Sequence, residues 1–208
     1  MTLARRPGRL THVALALGVA VPLVYYGIQA VAAPFFPDFS LVRTTASELG
    51  SNLSRRPAVF NAGIMAMGAA TVLASFGFLV ALRRLGVHLI LSLLVWAAVA
   101  TNGVQTIWAG YYPMPDPRHG GHPSFVVAMI ALPLLLTAAL WRGESRALKA
   151  YLVATLLLLG VMFPIMSGIS GIDTHAYRGL QQRVFALTVY PPIGVAAYVL
   201  ARRVSLRV

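Results

Sequence analysis

The chain has 208 residues, of which 58% are hydrophobic and only 11% are charged. A soluble domain carries about 25% charged residues and cannot bury so large a share of apolar side chains, so the composition excludes a soluble fold. Polar tracts, glycine periodicity and heptads are missing, which excludes disordered, collagen-like and coiled-coil chains. The sequence therefore predicts an integral membrane protein with a single domain over residues 1–208.

The charge balance is strongly basic, with 17 Lys and Arg residues against five acids and a net charge of +12. No nucleic-acid-binding motif accompanies this charge, so we expect arginines that flank membrane spans and face anionic lipid. The expected partners are membrane lipids, and nucleic acid is not one of them. The sequence has no cysteine, which excludes disulfides, thiolate catalysis and cysteine-based zinc sites.

Six apolar segments are each long enough to cross a bilayer, which needs about 20 mostly apolar residues. The predicted spans are residues 10–33, 58–82, 87–112, 123–141, 147–167 and 179–201. The predicted fold class is therefore all-α, a polytopic bundle of six transmembrane helices.

The first span has a second interpretation. Its basic start, its apolar run and Ala30-Val31-Ala32 resemble a secretory signal peptide, from which residues 1–32 would be cleaved. The run is longer than the usual apolar region of about 7–15 residues in such peptides, which favours a retained helix.

The distribution of basic residues predicts the orientation of the bundle. With the N-terminus inside, eleven of the 17 Lys and Arg residues fall on the inner side and six on the outer side. Both termini are therefore predicted to be cytoplasmic. The acids have the opposite distribution, because only Glu144 falls on the inner side.

The first outer loop, residues 34–57, contains a helix-start signal. Thr45-Ala-Ser-Glu48 fits a capping box, and Gly50 fits a helix stop. A short helix or turn is therefore expected over the bundle. Glu48 is either a structural cap of that turn or part of a binding site.

The third span carries a polar stripe of Thr101, Asn102, Gln105 and Thr106. Their spacing of three and four places them on one helix face, which would lose several kcal/mol of hydrogen bonding against lipid. We therefore expect this face to point inward. Other spans carry polar groups at a comparable depth: Gln29, Asn61, Ser167, Gln182 and Arg183. These groups form either an outward-facing cavity or ordinary hydrogen bonds between helices.

Prolines inside the spans favour the cavity, because each removes a backbone hydrogen bond and can kink its helix. They are Pro22, Pro133, Pro164, Pro191 and Pro192.

The other two outer loops contain the side chains best suited to catalysis. These candidate residues are Asp116, His119, His122, Asp173 and His175. Histidine and carboxylate groups can bind Zn²⁺, whose bound water is a hydrolytic nucleophile, or can act as general acid and base without metal. The candidate zinc ligands are His119, His122 and His175. If they are functional, at least one pair across the loops, such as Asp116 with His175, lies within hydrogen-bond or metal-ligand reach. The simpler alternative is that each is a solvated loop residue.

Several short motifs resemble an uncharacterised membrane family, domain of unknown function 998. They are Ser47-Glu-Leu-Gly50, Asn61, Pro115-Asp-Pro-Arg-His119 and His122, and the resemblance covers roughly residues 12–202. It implies a six-helix bacterial protein of the inner (cytoplasmic) membrane, with a fold related to the Frag1/DRAM type. It also implies that the acids and histidines of the first two outer loops belong to the family pattern. It implies no catalytic assignment, because the family's biochemical role is not established.

Two functions from different classes follow. The first is binding of a lipid or small amphiphile in an outward-facing cavity, whose polar groups would include Glu48, Asn61, Asn102, Gln105 and an arginine set. That set comprises Arg55, Arg56, Arg118 and Arg183, which would contact phosphate. The second is a membrane-embedded hydrolase or transferase that uses the five outer-loop residues. A transporter ranks below both, because no acid lies buried in mid-span and no inverted repeat is evident.

Overall fold

The computed structural model describes residues 8–142 and 144–206, which contain helices and turns but no strand. Its α-helices are α1 Arg9–Ala32, α2 Pro57–Arg84, α3 Leu89–Tyr111, α4 Pro123–Leu140, α5 Arg146–Met166, α6 Arg178–Ala186 and α7 Tyr190–Leu206. Short 3-10 turns cover Ala33–Phe35, Ser47–Gly50 and His175–Tyr177. The predicted all-α class is confirmed.

Six segments of these described residues are long and apolar enough to cross a membrane. Helices α1 to α5 supply five of them, and α6 with α7 supplies the sixth over His175–Leu206. Each predicted span falls on one of these segments, so the expectation of a multi-pass membrane protein is confirmed.

The two ends of the bundle differ in what they carry. His12 Nε2 lies 3.0 Å from Ser205 Oγ, so the start of α1 and the end of α7 meet at one end, here called the terminal end. The loops at residues 36–56, 112–122 and 167–177 lie at the opposite end, here called the loop end. The cytoplasmic location of the terminal end stays a prediction.

Glycines bring the central helices into backbone contact. A Cβ added to Gly68 of α2 would lie 2.6 Å from the carbonyl oxygen of Gly103 in α3, and one added to Gly103 would lie 2.7 Å from that of Gly68. Small residues allow this close approach between membrane helices. Helices α1, α2, α3 and α7 form the centre, and α4 and α5 pack beside them.

The sixth span is broken between α6 and α7. Pro191 and Pro192 have no N–H, so the carbonyls one turn earlier lose their helical donors. At the break, the Thr188 N–H donates to the Phe185 carbonyl at 2.9 Å, and the Thr188 hydroxyl donates to the same oxygen at 2.7 Å. Pro22, Pro133 and Pro164 lie inside continuous helices instead.

Candidate functional site

A partly open cavity of about 500 Å³ lies at the loop end of the bundle. Helices α1 to α7 all contribute to its wall, together with the loops around residues 45–48 and 114–120. Most of the wall is apolar, and its larger side chains are Phe60, Ile64, Met129, Met166, Phe185 and Val189. Of the two alternatives for the polar groups at this depth, the structure shows a cavity, and the sequence does not indicate how much of its wall is apolar.

Three of the four residues in the polar stripe of α3 face this cavity, and Thr101 does not line it. Asn102 is 4% exposed and Thr106 is 5% exposed, and both line the cavity with the half-buried Gln105. Asn102 Nδ2 donates to the Ala98 carbonyl at 2.8 Å, and the Thr106 hydroxyl donates to the Asn102 carbonyl at 2.8 Å. The inward orientation of this face is confirmed.

Asn61 joins the start of α2 to the first loop. Its Nδ2 donates to the Gly50 carbonyl at 2.9 Å, and a Cβ added to Gly50 would lie 2.0 Å from Asn61 Oδ1. Position 50 therefore needs a glycine because the Asn61 side chain occupies the space. Asn61 also lines the cavity, as predicted.

Glu48 both caps its turn and lines the cavity. One oxygen, Oε2, accepts from the Thr45 N–H at 2.7 Å and from the Thr45 hydroxyl at 2.9 Å. The other oxygen, Oε1, accepts from Arg178 Nη2 at 2.7 Å. The predicted capping box is confirmed, and the ion pair with Arg178 was not predicted.

Arg183 does not line the cavity, although it was expected to bind ligand. Its Nη1 donates to the carbonyls of Leu41 at 2.9 Å, Thr44 at 2.7 Å and Gly179 at 2.9 Å. The side chain is 9% exposed and lies over the Phe39 ring, 5.7 Å from its centroid. Its role here is to hold the first loop against α6.

Two neighbours on α6 complete this attachment. Gln182 Oε1 accepts from the Ala46 N–H at 2.6 Å, and its Nε2 donates to Ser47 Oγ at 3.2 Å. Arg178 Nε donates to the Arg43 carbonyl at 3.0 Å. We call Arg178, Gln182 and Arg183, with the loop atoms they bind, the clamp. The contacts of the clamp hold the Glu48 and Gln182 side chains at the cavity wall.

Arg118 was also expected to contact a ligand, and it is bound elsewhere. Its Nε and Nη2 donate to both oxygens of Asp116 at 2.9 and 2.7 Å, and its guanidinium lies 4.0 Å from the centroid of the Tyr112 ring. The Arg118 hydrogen bonds lower the pKa of Asp116 from 3.8 to about 2. Arg118 does not line the cavity, and Arg55 and Arg56 are exposed outside it.

His119 is the one outer-loop candidate that reaches the cavity. Its Nδ1 lies 3.1 Å from the Ala109 carbonyl oxygen and 2.8 Å from the Tyr112 carbonyl oxygen. Both carbonyls belong to the C-terminal end of α3, so the ring is oriented by that helix end.

The other candidates are bound locally. His122 Nδ1 accepts from the Ser124 N–H at 3.2 Å and caps α4. Asp173 Oδ1 accepts from the His175 N–H at 2.9 Å, and both residues are exposed.

The expected convergence of the five catalytic candidates is therefore corrected. In the described residues, no hydrogen bond or ion pair joins Asp116 to His175 or either loop's candidates to the other's. Nor does any group of three His, Asp or Glu side chains there stand close enough to hold a metal ion. The physical reason is local: turn geometry offers Asp116, His122 and Asp173 partners two residues away.

Two further expectations about the cavity were wrong. Gln29 is buried, but its Nε2 donates to the Tyr25 carbonyl of its own helix at 3.0 Å. Ser167 is exposed, and neither residue lines the cavity. Two tyrosines line it instead, Tyr25 and Tyr190, with ring centroids 4.1 Å apart. Their only sequence signal was their position in spans one and six.

These features define a helical membrane protein with six spans and a largely apolar cavity at one end. A family model described as "Protein of unknown function (DUF998)" matches residues 19–199. The chain therefore belongs to the DUF998 family, which confirms the resemblance in the sequence. No curated protein and no solved structure matches the chain. The relation to the Frag1/DRAM type stays a prediction.

Proposed function

We propose that this protein binds a lipid or small amphiphile in the cavity at its loop end. The observation that carries the proposal is a cavity of about 500 Å³ whose wall is mostly apolar and whose polar groups lie on α2, α3, α6 and the adjoining loops. Ligand pockets have this character and volumes of about 300–1,000 Å³. Each methylene that an apolar chain buries there contributes about 0.8 kcal/mol.

Simple packing does not account for the cavity. Voids much larger than a water molecule are few in protein interiors, and empty apolar volume lowers stability. Here the polar face of α3 is turned toward the cavity, and the side-chain amide of Gln105 makes no hydrogen bond to the described residues. A bound molecule would fill the apolar volume and give Gln105 a partner.

The hydrolase or transferase alternative has less support. Of the five candidate catalytic residues only His119 lines the cavity, and within the described residues no carboxylate is hydrogen-bonded to it. A general base in a hydrolytic site is usually oriented by a third group and lies beside a nucleophile. His119 is oriented, but it has no nucleophile bonded to it in the described chain.

Binding to a cavity-filling variant tests the proposal. Ala109 lines the cavity, so Ala109→Trp places a large side chain in the ligand's space. Native mass spectrometry of the purified protein with 1-oleoylglycerol as probe should show adducts for the unmodified chain and few for the variant. Val127→Trp is the matched control, because Val127 lies on α4 and is 65% exposed. Equal adducts for Ala109→Trp and the unmodified chain would contradict the proposal.

We further propose that the protein lies in a bacterial cytoplasmic membrane with its loop end outward, on the basis of the basic-residue distribution. The chain has no cysteine, so a single introduced cysteine is the one thiol that a maleimide can label. A membrane-impermeant maleimide should label Leu53→Cys in intact cells and Leu206→Cys only after permeabilisation, since both positions are exposed at opposite ends. The reverse pattern would overturn the orientation.

A further inference from the structure

One ring nitrogen of His119 is hydrogen-bonded within the described chain, and the other is not. Nδ1 lies within hydrogen-bond distance of the Ala109 and Tyr112 carbonyl oxygens. Carbonyl oxygens only accept, so Nδ1 carries a hydrogen, and Nε2 of the neutral ring is then an acceptor. Among the described residues nothing bonds to Nε2, and His119 lines the cavity. The helix end thus holds a side chain of the cavity wall that has one ring nitrogen free to accept a hydrogen bond.

Asn102 presents a second acceptor from α3. Its Nδ2 is bound to the Ala98 carbonyl, so Oδ1 is the atom left for a ligand. Because Asn102 lines the cavity, its Oδ1 can accept a hydrogen bond from a ligand group that reaches this depth. These two acceptors favour a ligand group that donates hydrogen bonds.

The cavity offers no uncompensated formal charge. Glu48 and Arg178 are the acidic and basic side chains that line it, and they pair with each other at 2.7 Å. The second Glu48 oxygen is bound by Thr45, and Arg178 Nε is bound to the Arg43 carbonyl. A phosphate or ammonium group would lose its hydration without gaining a charged partner, which is unfavourable.

We infer that the ligand is an uncharged, hydroxylated amphiphile, such as a monoacylglycerol or long-chain alcohol, whose hydroxyl donates to Nε2 of His119. This inference rests on the proposed function, because it specifies the head group of the molecule in that cavity. It replaces the phosphate contacts expected from Arg118 and Arg183, because neither side chain lines the cavity.

Three probes with one oleoyl chain test the inference: 1-oleoylglycerol, methyl oleate and 1-oleoylglycerol 3-phosphate. Measured by native mass spectrometry, 1-oleoylglycerol should bind about 5-fold more tightly than methyl oleate, as one or two neutral hydrogen bonds provide. The phosphate should bind more weakly than 1-oleoylglycerol. Equal affinity of the ester, or tightest binding of the phosphate, overturns the head-group inference while cavity binding stands. If none of the three binds, the proposed function itself fails.

A pair of histidine variants separates recognition from structure. His119→Asn can keep a donor near the Ala109 and Tyr112 carbonyls but removes the Nε2 acceptor. It should lose the preference for 1-oleoylglycerol over methyl oleate and keep its affinity for methyl oleate. A structural role alone would lower both affinities together.

His122→Asn is the control in the same loop. His122 caps α4 outside the cavity, and asparagine is a favourable N-cap residue. This variant should keep the preference for 1-oleoylglycerol. If His119→Asn also keeps it, the assignment of His119 is wrong.

Discussion

Two charged regions at the loop end differ in how far apart in sequence their bonded residues lie. In the clamp, Glu48 bonds to Arg178 across 130 residues of sequence, and Arg183 bonds to Thr44 across 139. In the loop after α3, Asp116 bonds to Arg118 across two residues. The clamp attaches a long loop to a distant helix, whereas the second pair shapes only its own turn. Charged residues of similar appearance in the sequence thus have different structural roles.

The two ion pairs also differ in burial, although less than in sequence distance. The side chain of Glu48 is 9% exposed and that of Asp116 is 24% exposed, and their arginine partners are 45% and 59% exposed. Exposed ion pairs contribute little because water and salt screen them, while a buried group that loses its partner is destabilising. We therefore expect variants of the clamp to affect stability and variants of the Asp116 pair to leave it nearly unchanged.

The largest effect is expected at Arg183. Arg183→Met removes the donor from three carbonyl groups, each bond contributing about 1 kcal/mol. The free energy of unfolding should fall by about 3 kcal/mol and the melting temperature by about 6–12 °C, measured by thermal unfolding in detergent. Arg118→Met is the control, and its melting temperature should stay near that of the unmodified protein. Equal losses for both variants would erase the contrast between the regions.

A smaller loss is expected at Gly50. Gly50→Ala inserts a Cβ against Asn61 Oδ1, and overpacking of this kind destabilises by about 1–3 kcal/mol. Truncating the opposing side chain provides the control, because Asn61→Ala should make the added methyl group less harmful. If Gly50→Ala is as stable as the unmodified chain in thermal unfolding, the Asn61 contact does not determine the loop position.

Double-mutant cycles compare the two ion pairs directly. The cycle with Glu48→Gln and Arg178→Gln should give a coupling of about 1 kcal/mol, since one partner is buried and the other is half-exposed. The cycle with Asp116→Asn and Arg118→Gln should give a smaller coupling, because water and salt screen this more exposed pair. A stronger coupling in the second cycle would show that sequence distance does not distinguish the regions.

The smallest effect concerns proton binding at Asp116. Because its pKa is lowered to about 2, the ionised pair contributes fully above the ordinary pKa of 3.8, and the contribution is lost as the pH falls through about 2. Arg118→Gln should raise the pKa of Asp116 toward its ordinary value. Carboxyl ¹³C NMR can follow this, because the chain has only three aspartates. An unchanged pKa in the variant would show that Arg118 is not its cause.

Much of the fold could be predicted because it follows from local chemistry. Apolar length determines the spans, and the spacing of Asn102 and Thr106 places both on the inward face of α3. The capping box around Glu48 is likewise a contact between residues three apart. Such features depend on residues that lie a few positions apart in the sequence.

The clamp and the cavity could not be predicted in the same way. The pairing of Arg178 with Glu48 depends on how α6 meets a loop 130 residues earlier, and no local pattern encodes that meeting. The catalytic hypothesis was wrong about convergence because it counted residue types. It did not allow for the partners two residues away that Asp116, His122 and Asp173 find in their own turns.

Ligand protection of a single cysteine tests the central claim most directly. Ala109→Cys places a thiol on the cavity wall, and the rate of its reaction with N-ethylmaleimide reports access to the cavity. Leu53→Cys, on the exposed part of the first loop, is the control. The account predicts that 1-oleoylglycerol slows labelling at position 109 and leaves it unchanged at position 53. An unchanged rate at position 109 under saturating 1-oleoylglycerol would contradict binding in the cavity.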